Sequence, residues 1–178
     1  MRADARRNRE RIVTVAGAAI AEHGADASLE DIARRAGVGS ATLHRHFPTR
    51  QALLEAVFQG RVEALCDRAR SLAGDLAPGP ALVAWLRAVS RHAAANRGLA
   101  ASLVRGADPS LGSACHAMIT AAGEELVSAA RRAAEVRADV AVADLLKLAN
   151  AVSLATEGDP AEADRLLTLA LEGVVRRP

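Results

Sequence analysis

The chain reads as an all-α protein of nine helices, and three features of its 178 residues carry that reading. The apolar fraction is 51% but aromatics are only 2%, so alanine, leucine and valine must do the packing, and alanine and leucine favour helix. No segment sustains the alternation of β-branched residues that marks a half-buried strand. Glycine and proline clusters at 74–80, 105–109 and 158–160 cut the chain at helix-length intervals.

Each element has a local reason. A first helix is predicted over residues 4–23, with Ile12, Val15, Ala16, Ala19 and Ile20 on one face and Gly24 supplying the left-handed residue that ends it. Ser28 opens the second helix as a hydroxyl cap, and Glu30 and Asp31 place acids against its positive end. Gly37 turns the chain where a side chain would strain a positive φ. Pro48 and Thr49 stop the third helix, and Thr49 caps a fourth over residues 50–73. Beyond the break at 74–80 a fifth helix runs to 96, a short sixth to 104 and a seventh to 136. An eighth covers 139–156 and a ninth ends near 175. There is no internal repeat and no low-complexity tract.

Residues 28–50, SLEDIARRAGVGSATLHRHFPTR, form a helix, a tight glycine turn and a second short helix. Leu29, Ile32, Ala33, Val38, Leu43 and Phe47 point inward, and the polar residues between them face out. That is the pattern of a DNA-reading helix-turn-helix. On the short helix Leu43 and Phe47, four apart, share the buried side. Ser40, Ala41, Thr42, Arg45 and His46 are left on the exposed side. Arg45 is the residue suited to a bidentate guanine contact, and Thr42 and Ala41 to a thymine methyl or a phosphate.

The same stretch resembles the tetracycline-repressor-like (TetR) family of bacterial transcription regulators. The matching residues are Ser28 opening the second helix, Ile32 with Ala33, the Ala36-Gly37-Val38 turn, then Leu43, His44, His46, Phe47 and Arg50. His44 stands where the family carries tyrosine, and Gly39-Ser40-Ala41 replaces the commoner serine-x-glycine. Histidine keeps a donor for a phosphate. The resemblance covers the first third of the chain. It implies that Ser28, His44 and Arg50 contact phosphates and set register. Arg2, Arg6, Arg7 and Arg9 would lie along the backbone or enter the minor groove. It implies a three-helix DNA-binding domain over 1–48 and a helical ligand-binding and dimerisation domain over 49–178, joined by the helix at 50–73. The implied partner is double-stranded DNA with a palindromic operator, and the implied state is a homodimer.

Charge agrees weakly. Residues 1–60 hold nine arginines against seven acids, while the remaining fourteen bases and fourteen acids balance. The net +2 therefore lies wholly with the helix-turn-helix, where phosphates would be met.

The second domain offers two further sets of candidates. The helix at 139–156 is apolar around most of its circumference and that at 160–175 repeats the texture, so each has a side to spare for a partner. Leu145, Leu148, Val152, Leu167, Ala170 and Val174 are the expected dimer seam, an isologous four-helix contact. Val62, Leu65, Trp85, Val89, His92, Leu103, Met118, Ala122 and Leu126 are the expected pocket. The absence of acids among them suits a small apolar ligand. A rival reading keeps the DNA domain and makes the second domain only a dimerising or protein-binding module.

Other classes find little support. Cys115 and His116 are adjacent and diverge by about 100° on a helix, and His44 and His46 are poorly spaced for one ion, so no metal site is expected. No nucleophile–base pair at helical spacing and no glycine-rich phosphate loop argues for an enzyme or a cofactor. No apolar run spans a membrane, the N-terminus lacks a signal-peptide core, and Cys66 and Cys115 make no disulfide framework. A cytoplasmic protein with free thiols is the expectation.

Overall fold

The computed structural model describes residues 2–96, 109–157 and 159–172. Every regular element among them is a helix: α1 (Arg2–His23), α2 (Leu29–Arg35), α3 (Ser40–His46), α4 (Arg50–Asp75), α5 (Pro78–Ala95), α6 (Pro109–Arg132), α7 (Val142–Ala155) and α8 (Pro160–Leu171). The all-α expectation holds. Eight helices are described rather than nine because the short helix expected to end at 104 lies outside the described residues. The chain divides into two compact units, Met1–Arg61 with Asn96–Leu111, and Val62–Ala95 with Gly112–Pro178.

The first unit is built by its caps. The Ser28 side chain accepts from the Asp31 amide at 3.3 Å and starts α2. Gly37 ends it at φ 64°, with the Gly37 amide donating to Arg34 and the Val38 amide to Ala33. This is a Schellman closure, and its left-handed residue is the one glycine takes without strain. Thr49 Oγ1 accepts from the Ala52 amide at 3.1 Å and starts α4. Ile12, Ala16, Ile20, Ile32, Leu43, Phe47, Leu53 and Val57 close a common core.

Trp85 of α5 lies at the centre of the second unit. It is fully buried, and its indole Nε1 donates to the Leu65 carbonyl at 3.1 Å. Gly123 of α6 makes this possible: a Cβ there would stand 2.5 Å from Val142 Cγ2 and 2.8 Å from Trp85 Cη2. Leu82, Leu86, Val127, Leu145, Ala149 and Leu167 complete the core. Arg87 Nη2 donates to Thr168 Oγ1 at 2.9 Å and ties α5 to α8.

The end of α6 and the start of α7 differ from the sequence expectation. α6 stops at Arg132 rather than 136, because Ala134 adopts φ 57° and the Glu135 amide turns back to the Ala130 carbonyl. α7 starts at Val142 rather than 139, because Asp139 is held by Arg137 in a bidentate pair at 3.1 and 2.6 Å.

Candidate functional site

α3 has seven residues, too few to be stable alone, and it persists because Leu43 and Phe47 are buried in the core beneath it. That anchoring fixes which side faces out. Ser40, Ala41, His44 and Arg45 are exposed, and Thr42 and His46 are half-exposed. The helix carries no acid, and its last turn holds His44, Arg45 and His46. The arrangement is a short rod with a hydroxyl-and-basic outer face, suited to the donor and acceptor edges of a DNA groove.

Around α3 the arginines divide into clamps and surface groups. Arg35 Nη1 meets Glu22 of α1 at 2.8 Å and its Nε meets Asp31 at 2.6 Å, while Arg34 also pairs with Asp31. The Arg35 hydrogen bond holds the Glu22 carboxyl below its ordinary range, and Arg34 does the same for Asp31. Arg9 places its guanidinium 5.3 Å over the Phe47 ring, joining α1 to the end of α3. Arg6 lies 3.6 Å from Glu10, and Arg7 pairs with Asp4. Exposed pairs of this kind hold weakly and leave the side chains mobile.

Arg50, expected to meet a phosphate, also has partners within the chain. Its Nη1 donates to the carbonyls of Ala25 at 3.1 Å and Ala27 at 2.6 Å. The α1–α2 loop leaves those carbonyls outside any helix ladder, and the guanidinium satisfies them. Ser28 is exposed and spends a lone pair on its cap, which leaves its hydroxyl hydrogen for an outside acceptor.

In the second unit several expected ligand residues are core. Val62, Leu65, Trp85, Val89 and Leu126 are buried. Trp85 fills its space against Gly123 and spends its only donor on Leu65. Met118, Ala122 and His92 are half-buried, Cys66 Sγ donates to the Met118 carbonyl at 3.6 Å, and Leu103 lies outside the described residues. Cys66 and Cys115 are free and buried, and burial pushes both thiols up.

Part of the expected dimer seam lies in the chain's own core. Leu145, Val152 and Leu167 are used up by the chain's own core, because α7 packs along α5 and turns that stripe inward. Leu148 and Ala170 stay half-buried, and Val174 lies outside the described residues. The apolar side chains facing out are instead Leu154, 53% exposed, and Leu169, 58% exposed. Apolar runs on all sides of a helix hid which side was the outer one.

One concavity escaped the sequence reading. It lies between the end of α5 and the start of α8, with Ser90, Thr156 and Ala163 in its wall. The signal available was Ser90 at a buried helical position four residues after Leu86, where a hydroxyl needs a partner.

No described helix is long and apolar enough to cross a membrane.

Comparison with known proteins places this architecture. Residues 12–57 match the family model for bacterial regulatory proteins of the tetR family, and residues 77–176 match that for the C-terminal domain of SbtR-like transcriptional regulators. A TetR transcription regulatory protein from Mycobacterium vanbaalenii is 40% identical, with a TM-score of 0.81 over 98% of this chain and 99% of that one. A TetR transcriptional regulator from Streptomyces coelicolor is 38% identical, with a TM-score of 0.81 over 96% and 99%. At 16% identity and a TM-score of 0.65, a resorcinol complex of RolR shares the fold over 98% of this chain and 90% of its own. No curated protein sequence matches the chain. A second domain matched over more than half the chain, a helix-turn-helix matched at its N-terminus and near-complete coverage of two regulators agree: the chain belongs to the TetR family of transcriptional regulators.

Proposed function

We propose that the protein is a homodimeric repressor that reads a palindromic operator with α3 and leaves it when a small apolar ligand binds its C-terminal domain. The observation that carries the reading is the outer face of α3, where Ser40, Ala41, His44 and Arg45 are exposed above buried Leu43 and Phe47. Arg45 is the proposed guanine reader, and Thr42, Ala41 and His46 complete the base-facing set. Ser28 and His44 are the proposed phosphate contacts, and Arg6 and Arg9 approach the backbone from α1. Arg50 acts by holding the loop before α2 in place.

Two copies would set their α3 helices about 34–36 Å apart, or a near multiple, on successive major grooves. Exposed Leu154 and Leu169 with half-buried Leu148 and Ala170 support a seam formed by α7 and α8 of each copy. The C-terminal domain spans residues 49–178 in this reading, and α4 carries a ligand-driven tilt to α3 through Pro48 and Thr49. By linkage, ligand and operator weaken each other by the same factor.

Selection of bound sequences from random duplexes tests the proposal. An enriched inverted repeat with half-sites one helical turn or a multiple apart is the expected result. A pool without enrichment would sink it, and enrichment of a single half-site would remove the dimer from it.

A further inference from the structure

We propose that the concavity between the C-terminal end of α5 and the start of α8 binds a small neutral molecule bearing one hydroxyl group. It encloses about 220 Å³, and its wall is formed by Ala94, Ala95, Pro160 and Ala163 with the hydroxyl residues Ser90 and Thr156. An engineered apolar cavity of about 150 Å³ accommodates benzene, so a six-membered ring with one substituent fits here.

Ser90 supplies the polar contact. It is 2% exposed, yet its Oγ has no hydrogen-bond partner among the described residues. Two other hydroxyls of this unit turn back on the preceding turn: Thr156 Oγ1 donates to Val152 at 3.0 Å and Thr168 Oγ1 to Asp164 at 2.7 Å. Ser90 forgoes that back-bond and lines the concavity, which leaves a buried donor and acceptor for an occupant. Thr156, also buried, spends its hydrogen on Val152 and keeps lone pairs. A ligand hydroxyl, which both donates and accepts, complements the two.

The charged groups at the rim already have partners within the chain. Arg91 Nη1 pairs with Asp164 at 3.3 Å. Asp159 Oδ1 accepts from the Ala161 amide at 2.9 Å and the Glu162 amide at 3.2 Å, so the free end of α8 is already capped by a carboxylate. Arg91 and Asp159 bring opposite charges to the same rim, so neither sign of ligand charge is favoured over a neutral molecule.

The site stands apart from operator recognition, so its failure would leave the DNA reading intact. Phenol is the probe, with benzene and benzoate as controls, titrated into the full chain while amide and methyl resonances are followed. Saturable shifts of Ala94, Ala95 and Ala163 with phenol are expected, with benzene weaker and benzoate without effect. Ser90→Ala should weaken phenol about threefold to tenfold, the worth of one hydrogen bond, and leave benzene unchanged. Ala94→Leu, which fills the space from its half-buried side, should abolish both. Circular dichroism melts of each variant separate lost binding from lost folding. Phenol that shifts none of these residues, or binds Ser90→Ala equally well, would overturn the proposal.

Discussion

Arg50 Nη1 donates to the Ala27 carbonyl at 2.6 Å, one residue before the Ser28 hydroxyl that caps α2. The first residue of α4 therefore holds the entrance of the helix-turn-helix. Ala25, whose carbonyl takes a second bond from the same nitrogen, extends the hold across the α1–α2 loop. This side chain thereby ties the start of α4 to the α1–α2 loop.

Arg50→Ala should cost about 1–3 kcal/mol of stability, since a charged donor to two part-buried carbonyls is lost. That lowers the melting temperature by several degrees in a chain of this size. Affinity should fall alike on operator and scrambled duplex. An unchanged melting temperature with a salt slope smaller by about one would instead make Arg50 a phosphate contact.

Gly37 and Ala134 occupy the same left-handed position of two Schellman closures, at φ 64° and 57°. A Cβ on Gly37 meets nothing within 4 Å, so only backbone strain is at stake. Gly37→Ala should destabilise by about 1–2 kcal/mol and Ala134→Gly should stabilise by about 0.5–1 kcal/mol. Thermal melts check both signs, and a pair of shifts in the same direction would contradict the argument.

Gly123→Ala should cost about 1–3 kcal/mol by overpacking, because the added methyl would press on Val142 and on the Trp85 ring. Tryptophan fluorescence should shift with it. An unchanged emission and melt would mean that α6 yields at no cost.

Arg35 binds Glu22 of α1 and Asp31 of α2, and both carboxyls are held below their ordinary range. A carboxylate lowered in the folded state contributes stability above the ordinary carboxylate range and loses it as pH falls through that range. The wild type should therefore exceed Arg35→Gln in stability near neutral pH, and the gap should close on acidification. Denaturant melts across that range measure it. A gap that widened in acid would reverse the sign and refute the clamp.

Local chemistry made the first unit legible. Ser28, Gly37 and Thr49 act through their own backbones, and Leu43 and Phe47 act through helical spacing, so five residues near one another in sequence defined the motif. The partners of Arg50 within the chain, the Ala25 and Ala27 carbonyls, were not legible because they are set by a loop whose course the sequence does not display. The second unit resisted for a different reason. Leu145, Leu154 and Leu169 are equally apolar on paper, and only the packing of α5, α7 and α8 on one another decides that the first is core and the others face out. Trp85 looked like a ligand contact until Gly123 supplied the gap its ring occupies. Ser90 was silent because an unpaired hydroxyl is visible only once its neighbours are placed.

The central claim is that the outer face of α3 reads bases, and Arg45 tests it most directly. Fluorescence anisotropy of wild type and Arg45→Ala on the selected operator and on a scrambled duplex, at one moderate salt concentration, gives the specificity ratio of each. Arg45→Ala should lose about 1–3 kcal/mol of discrimination, roughly fivefold to 160-fold, while scrambled binding changes little. An unchanged ratio, with both duplexes weakened equally, would contradict it.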